Sequence, residues 1–169
     1  MVNHSTTEIF FDNLEVDESC IIGEEGQGFR YILSGLNAER LLIASECIGD
    51  AKYFIDKSVE YGNQREVFER PIGHNQGIQF PVAKAYSRTF AAELTLIEGC
   101  NLFDSGQDCG KEANISKLLS AEASWEAAEA AMQTFGGFSF AEEYNIERKF
   151  RETRLYQIAP VSTNMILAY

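Results

Sequence analysis

"LSGLNAERLLIAS", Leu33 to Ser45, decides how the chain is read. Leu36 and Ile43 recur at helical steps, Arg40 lies one turn after the first of them, and Glu39 stands beside it. Outward from this stretch the apolar stripe runs from Phe29 through Ile32, Cys47, Ile48, Ala51 and Ile55 to Val59, so a long amphipathic helix ends near Tyr61. The spacing puts Glu39 and Arg40 on or against the inward face. A carboxylate there must be paired, solvated in a cavity, or held neutral by a raised pKa. A raised pKa suits a general base working near neutrality, while an ion pair at the edge of the stripe fits the same spacing.

"GNQREVFERPIGHNQ" breaks the first helix with Gly62, Pro71 and Gly73. A second helix is expected from near Gln76, with Pro81 in its first turns and Tyr86, Phe90, Leu94 and Ile97 as its stripe. A third, rich in alanine, runs from about Lys111 to Thr134, with Ile115, Leu118, Leu119, Trp125 and Met132 as its larger apolar groups. It stops at Gly136-Gly137, and a weaker fourth helix is expected from Asn145 to Tyr156. Upstream, "TEIFFDNLEV" alternates and reads as a strand from Thr7 to Val16, followed by the glycine-punctuated loop "IGEEGQGF". The expected fold is all-α: an antiparallel up-and-down four-helix bundle preceded by one residual β-strand. A lone strand has no partner and the last residues are an apolar run, so both ends read as cut from something larger.

The chain has 169 residues, a formal net charge of −12, 45% apolar and 24% charged residues. That length suits one domain with a sizeable core. The acidic balance argues against a nucleic-acid or anionic-membrane surface. Cys20, Cys47, Cys100 and Cys109 show no C-x-x-C spacing, and the two histidines stand apart at His4 and His74, so no metal site is expected. Reduced thiols suit the cytoplasm, and no run of about 20 apolar residues suggests a membrane span. The start lacks the pattern of a signal peptide.

Two further stretches carry chemistry. "QREVFERPIGHNQGIQF" gathers Arg65, Phe68, Arg70, Asn75, Gln76 and Phe80 around a tight turn. Such a loop can grip a diphosphate and stack a base, or simply connect two helices. In "QTFGGFSF" the paired glycines suit a helix C-cap and equally permit close approach of a ligand to backbone.

In this order and spacing the stretches resemble the C-terminal part of the acyl-CoA dehydrogenase family of flavoproteins. The likeness spans essentially the whole sequence, through "IGEEGQGF", "GLNAERLLIA", the R-x-x-F-x-x-P-I of Arg65 to Ile72, the Q-x-x-Q-F of Gln76 to Phe80, "QTFGG" and the late "ERKFRETRLYQI". It implies oxidation of acyl-CoA to trans-2-enoyl-CoA with FAD, a carboxylate taking the α-proton and the flavin taking the β-hydride. Most members carry that base in a late tyrosine–glutamate–glycine–threonine segment. Here the segment reads "IAPVSTN", with Pro160 in the place of the glutamate. The isovaleryl and long-chain branch instead carries the base in an "ER" pair on the first long helix, which Glu39-Arg40 matches.

The resemblance further implies that Arg65 and Phe68 contact the diphosphate and adenine end of FAD, with Gln76 and Phe80 in the same region. Gln133, Gly136 and Gly137 would approach a flavin bound mainly by a neighbouring subunit. Ser162 and Asn164 match later cofactor-contacting positions. Asn37, where the family often has an acidic residue near the CoA chain, and Arg40 would serve the substrate side. Glu69 and Ser139 each replace a usual glycine. Residues 1–27 would be the last strand and loop of a truncated middle β-domain, and residues 28–169 the helical bundle domain. The implied partners are acyl-CoA, an electron-transfer flavoprotein or similar acceptor, and further copies of the chain in a dimer or tetramer. Without the other domains the polypeptide is expected to be inactive and to lack FAD. The competing expectation is a noncatalytic helical oligomerisation module.

Overall fold

Small side chains decide how the helices of this protein meet. A computed structural model describes residues 7–168, so His4, the first six residues of the expected 1–27 segment, and Tyr169 lie outside the described residues. The helices are α1 (Gly28–Gln64), α2 (Gln76–Asp104), α3 (Gly110–Phe135), α4 (Ile146–Leu155) and the short α5 (Thr163–Ala168). A two-stranded hairpin of β1 (Glu66–Val67) and β2 (Arg70–Pro71) joins α1 to α2. The chain divides after Leu33 into two compact units.

In the second unit, Leu41, Ala44 and Ile48 of α1 share a core with Ala92 and Leu96 of α2 and Ala113 and Ala123 of α3. Further along, Ala51, Phe54 and Ile55 meet Val82, Ala85, Ala127, Ala131 and Phe135. The early part of α1 therefore faces the late part of α2, and α3 returns alongside α1: the expected up-and-down bundle. Helix α4 closes it with Ile146, which is fully buried, and with Phe150 against Trp125 at 4.6 Å between ring centroids.

The inward faces differ from the expected ones. Helix α2 buries Val82, Ala85, Thr89, Ala92, Leu96 and Gly99. Tyr86, Phe90, Leu94 and Ile97, expected as its core stripe, are 50–60% exposed. Helix α3 likewise buries its alanines and serines while Ile115 and Leu119 point outward. A helix with neighbours on several sides must let backbones approach, and alanine and serine allow this where leucine would not. Two of the buried hydroxyls are satisfied across helices: Ser116 Oγ donates to Thr95 O at 2.9 Å, and Ser124 shares a hydrogen bond with Thr153 of α4, while the buried Ser120 Oγ has no partner among the described residues. An ion pair between buried Asp50 and Lys149 ties α1 to α4.

Where α1 ends, Gly62 packs on Gly73; a Cβ on Gly73 would lie 2.9 Å from Gly62 O. Gly73→Ala should therefore destabilise the bundle by about 1–3 kcal/mol in urea unfolding, the usual cost of overpacking. An unchanged midpoint would mean the turn yields freely. The hairpin that follows pairs Glu66 with Pro71 and Val67 with Arg70, leaving Phe68 (φ 53°) and Glu69 (φ 62°) in left-handed backbone at its tip. Two such residues make the mirror-image turn that suits a two-residue hairpin, although bulky side chains rarely occupy it.

The expected strand is corrected in the first unit: Thr7–Val16 adopts no strand. Its alternation is real, but a strand needs a neighbour for its N–H and C=O groups, and the described residues supply none. Ile9, Phe10, Phe11, Leu14 and Val16 stay exposed. A short 3-10 turn, Glu18–Cys20, follows, capped by Asp17, and Glu24 N donates to the Tyr31 hydroxyl at 3.1 Å. No helix among the described residues is long and apolar enough to cross a membrane, and none of their His, Cys, Asp and Glu side chains cluster to hold a metal.

Candidate functional site

The Glu39-Arg40 pair splits between the two sides of α1. Arg40 is four residues before buried Ala44 and is itself 8% exposed, so it is the guanidinium that turns inward. Glu39 is exposed. The inward carboxylate expected from the stripe is thus corrected: one residue is 100° of helix, and the stripe passes through Arg40. Arg40 donates through its Nη2 to Asn37 Oδ1, while its buried Nε has no partner among the described residues. Burial lowers its pKa, with Cys109 and Glu39 pulling the other way. Helix α3 begins beside it, with Gly110 next to the Asn37 amide. Asn37, Arg40 and the start of α3 therefore form one polar corner, with Glu39 facing solvent from the same turn.

A second constellation forms where α1 and α3 end. A groove of about 430 Å³ is lined by Tyr61, Arg65, Val67, Phe135, Gly136 and Phe138, among others. Tyr61 stacks on Phe135 with ring centroids 4.1 Å apart. The Arg65 guanidinium lies 5.8 Å from the Phe138 ring centroid. Gly136 sits at φ 57°, ψ −131°, a backbone that L side chains avoid, and no atom lies within 4 Å of where its Cβ would be. Its backbone is open to a ligand. The structure thus brings together Arg65, Gly136 and Gly137. Phe68 is 95% exposed at the hairpin tip, next to Val67 of the groove. Gln76 and Phe80, in the first turns of α2, and Gln133 are exposed and do not line it.

Tyr61 and Phe138 belong to the groove and carry no expectation from the sequence. The signal was present: Tyr61 closes the α1 stripe, and Phe138 follows the paired glycines directly.

The segment after α4 forms a turn. Thr163 N and Oγ1 both donate to Gln157 O, at 3.1 and 3.2 Å, and the Ser162 Oγ accepts from Met165 N at 3.3 Å to start α5. Pro160 and Ser162 are half-buried and Asn164 is exposed. Lys117 of α3, fully buried, donates to Val161 O at 2.7 Å. Burial lowers its pKa, and burial pushes the Cys47 thiol up to about 12, with Lys117 pulling Cys47 down.

Residues 26–165 match the family model for the acyl-CoA dehydrogenase C-terminal domain. An acyl-CoA dehydrogenase of Bacillus subtilis (strain 168) is 38% identical over 154 residues, covering 91% of this chain and 41% of that protein. The solved butyryl-CoA dehydrogenase of Megasphaera elsdenii superposes with a TM-score of 0.89 at 27% identity, over 94% of this chain and 41% of the other. A chain from a structure described as the electron transferring flavoprotein of Acidaminococcus fermentans gives 0.89 at 26% identity, over 94% and 42%. The chain spans about two fifths of the length of the curated relatives it matches. It belongs to the acyl-CoA dehydrogenase family, whose C-terminal domain it matches.

Proposed function

We propose that this chain is the C-terminal helical domain of an FAD-dependent enzyme that oxidises acyl-CoA to trans-2-enoyl-CoA, with Glu39 as the base that removes the α-proton. The observation that carries the reading is the loss of one carboxylate and the retention of another. Pro160 stands where most of the family has its glutamate, and proline has no group to accept a proton. Glu39 is exposed on α1, free of any ion pair among the described residues, one residue from a guanidinium anchored below it. Its desolvation is then supplied by the substrate and by the parts of the enzyme that cover it. Arg40 and Asn37 hold the substrate side of the site, and Arg40 offsets negative charge next to the base.

FAD supplies the hydride acceptor when bound. The residues at the ends of α1 and α3 fit its adenosine-diphosphate half: Arg65 offers an exposed cation, and Gly136 and Gly137 offer uncovered backbone. Phe68 projects from the hairpin tip and would serve a flavin bound by a neighbouring copy, as would Gln76, Phe80 and Gln133. Ser162 and Asn164 serve the cofactor from the turn before α5. The outward stripe of Tyr86, Phe90, Leu94 and Ile97 supports assembly into a dimer or tetramer. The electron acceptor is an electron-transfer flavoprotein or a protein like it. The thiols and the acidic surface suit the cytoplasm, and residues 1–27 are the edge of a middle β-domain.

Turnover tests this reading. The complete enzyme should be yellow and reduce an artificial acceptor with acyl-CoA, while the 169-residue chain should be colourless, inactive and self-associating by light scattering. A complete enzyme without flavin or acyl-CoA turnover, but with intact self-association, would instead make the bundle an oligomerisation module.

A further inference from the structure

Lys117 is an expensive residue for its place. It is fully exposed to neither water nor a carboxylate: its side chain is completely buried, it makes no ion pair among the described residues, and its ammonium donates to the carbonyl of Val161. Two buried ties from α3 to its surroundings use neutral hydroxyls, Ser116 to Thr95 and Ser124 to Thr153, and the charged Glu126 of α3 has Lys84 and Arg88 of α2 as partners. Hydroxyls cost far less to bury than an ammonium. A long cationic arm is retained where a hydroxyl would not reach.

What it reaches is the turn that replaces the usual glutamate segment. Val161 follows Pro160 and precedes Ser162, and Ser162 N–H donates to no group among the described residues. The carbonyl of Val161 and the N–H of Ser162 belong to one peptide. An ammonium on the carbonyl polarises that peptide and strengthens the N–H as a donor. The other anchors of the turn are the bonds from Thr163 to Gln157 and the burial of Ile166.

We propose that Lys117 is a positioning residue: it locks the 161–164 turn against α3 and holds the Val161–Ser162 peptide with its N–H available to an oxygen of bound FAD, so that Ser162 and Asn164 meet the cofactor in one geometry. This rests on the functional reading above. The role differs from that of a core side chain because it acts on the cofactor, not only on the stability of the bundle.

The test uses the complete enzyme. Lys117→Met, which keeps the length and removes the donor, should weaken FAD binding to the apoenzyme by about tenfold or more, alter the visible circular dichroism of the flavin, and lower kcat by about tenfold at saturating FAD with KM for acyl-CoA little changed. Amide exchange at 161–166 should accelerate while α1 and α2 stay protected. Lys117→Arg should recover most of the FAD affinity. If Lys117→Met does not fold, Lys117→Gln, with a donor on a shorter arm, should show the same effects at smaller size. A lower melting temperature with unchanged FAD affinity, flavin spectrum and local exchange, in either variant, would overturn the proposal. If the wild-type enzyme binds no FAD, the functional reading falls instead, and exchange at 161–166 still decides whether the clamp exists.

Discussion

Glu39→Gln in the complete enzyme is expected to lower kcat by roughly 10²–10⁴-fold, the usual contribution of a positioned general base, while FAD stays bound. Glutamine keeps the shape and polarity of the side chain and loses only the ability to take a proton. Glu39 is exposed and has no ion-pair partner among the described residues, so the substitution leaves the bundle intact. KM should change little and the melting temperature should not move, which separates this result from a structural loss. Near-normal turnover would leave Glu39 as a surface residue. The contrast with Arg40 is informative. Arg40 is buried with an unpartnered Nε, and its removal would disturb Asn37 and the start of α3 together with the substrate side.

Phe54→Ala should cost about 3–5 kcal/mol of stability, the range for truncating a buried aromatic ring. Phe54 is fully buried in the core where α1 meets Val82, Ala127, Ala131 and Ile146, and these neighbours are mostly too small to fill the space left behind. Denaturant unfolding of the chain measures it, provided its m-value is that of the wild type. A loss below about 1 kcal/mol would mean that the helices collapse around the gap, and that close packing by alanine is not what orders them.

That packing also explains how much of the fold could be read in the sequence. Turn residues and apolar periods are local signals, and they located α1, α2 and α3 to within a few residues: Gly62, Gly73 and Gly136-Gly137 all lie at or near real ends. The direction each helix faces is a tertiary property. In α2 the large residues Tyr86, Phe90, Leu94 and Ile97 look like a core and face outward, because Ala85, Ala92 and Gly99 are what permit α3 to come close. The strand failed for a related reason. Alternation at Thr7 to Val16 states a preference, and hydrogen-bond partners decide whether it is realised. Helix α5 was hidden in "VSTNMILAY" because a helix of six residues, under two turns, has almost no period to detect, although Ser162 before it is a good start signal.

The candidate site was legible in part. Arg65 and the paired glycines do line one groove, which the sequence could suggest only by chemistry, since about 70 residues separate them. Gln76 and Phe80 follow Arg65 closely in sequence, but the hairpin and the start of α2 carry them out of that groove. Lys117 carried a signal that went unread: it lies four residues after buried Ala113 and four before buried Ala121, which already places it on the inward face.

The most direct measurement is a crystal structure of the complete enzyme with a bound acyl-CoA analogue. The Glu39 carboxylate should lie about 3–3.5 Å from the α-carbon, on the face opposite the flavin, with Pro160 making no polar contact there. A different carboxylate at that carbon, with Glu39 turned to solvent, would contradict the account.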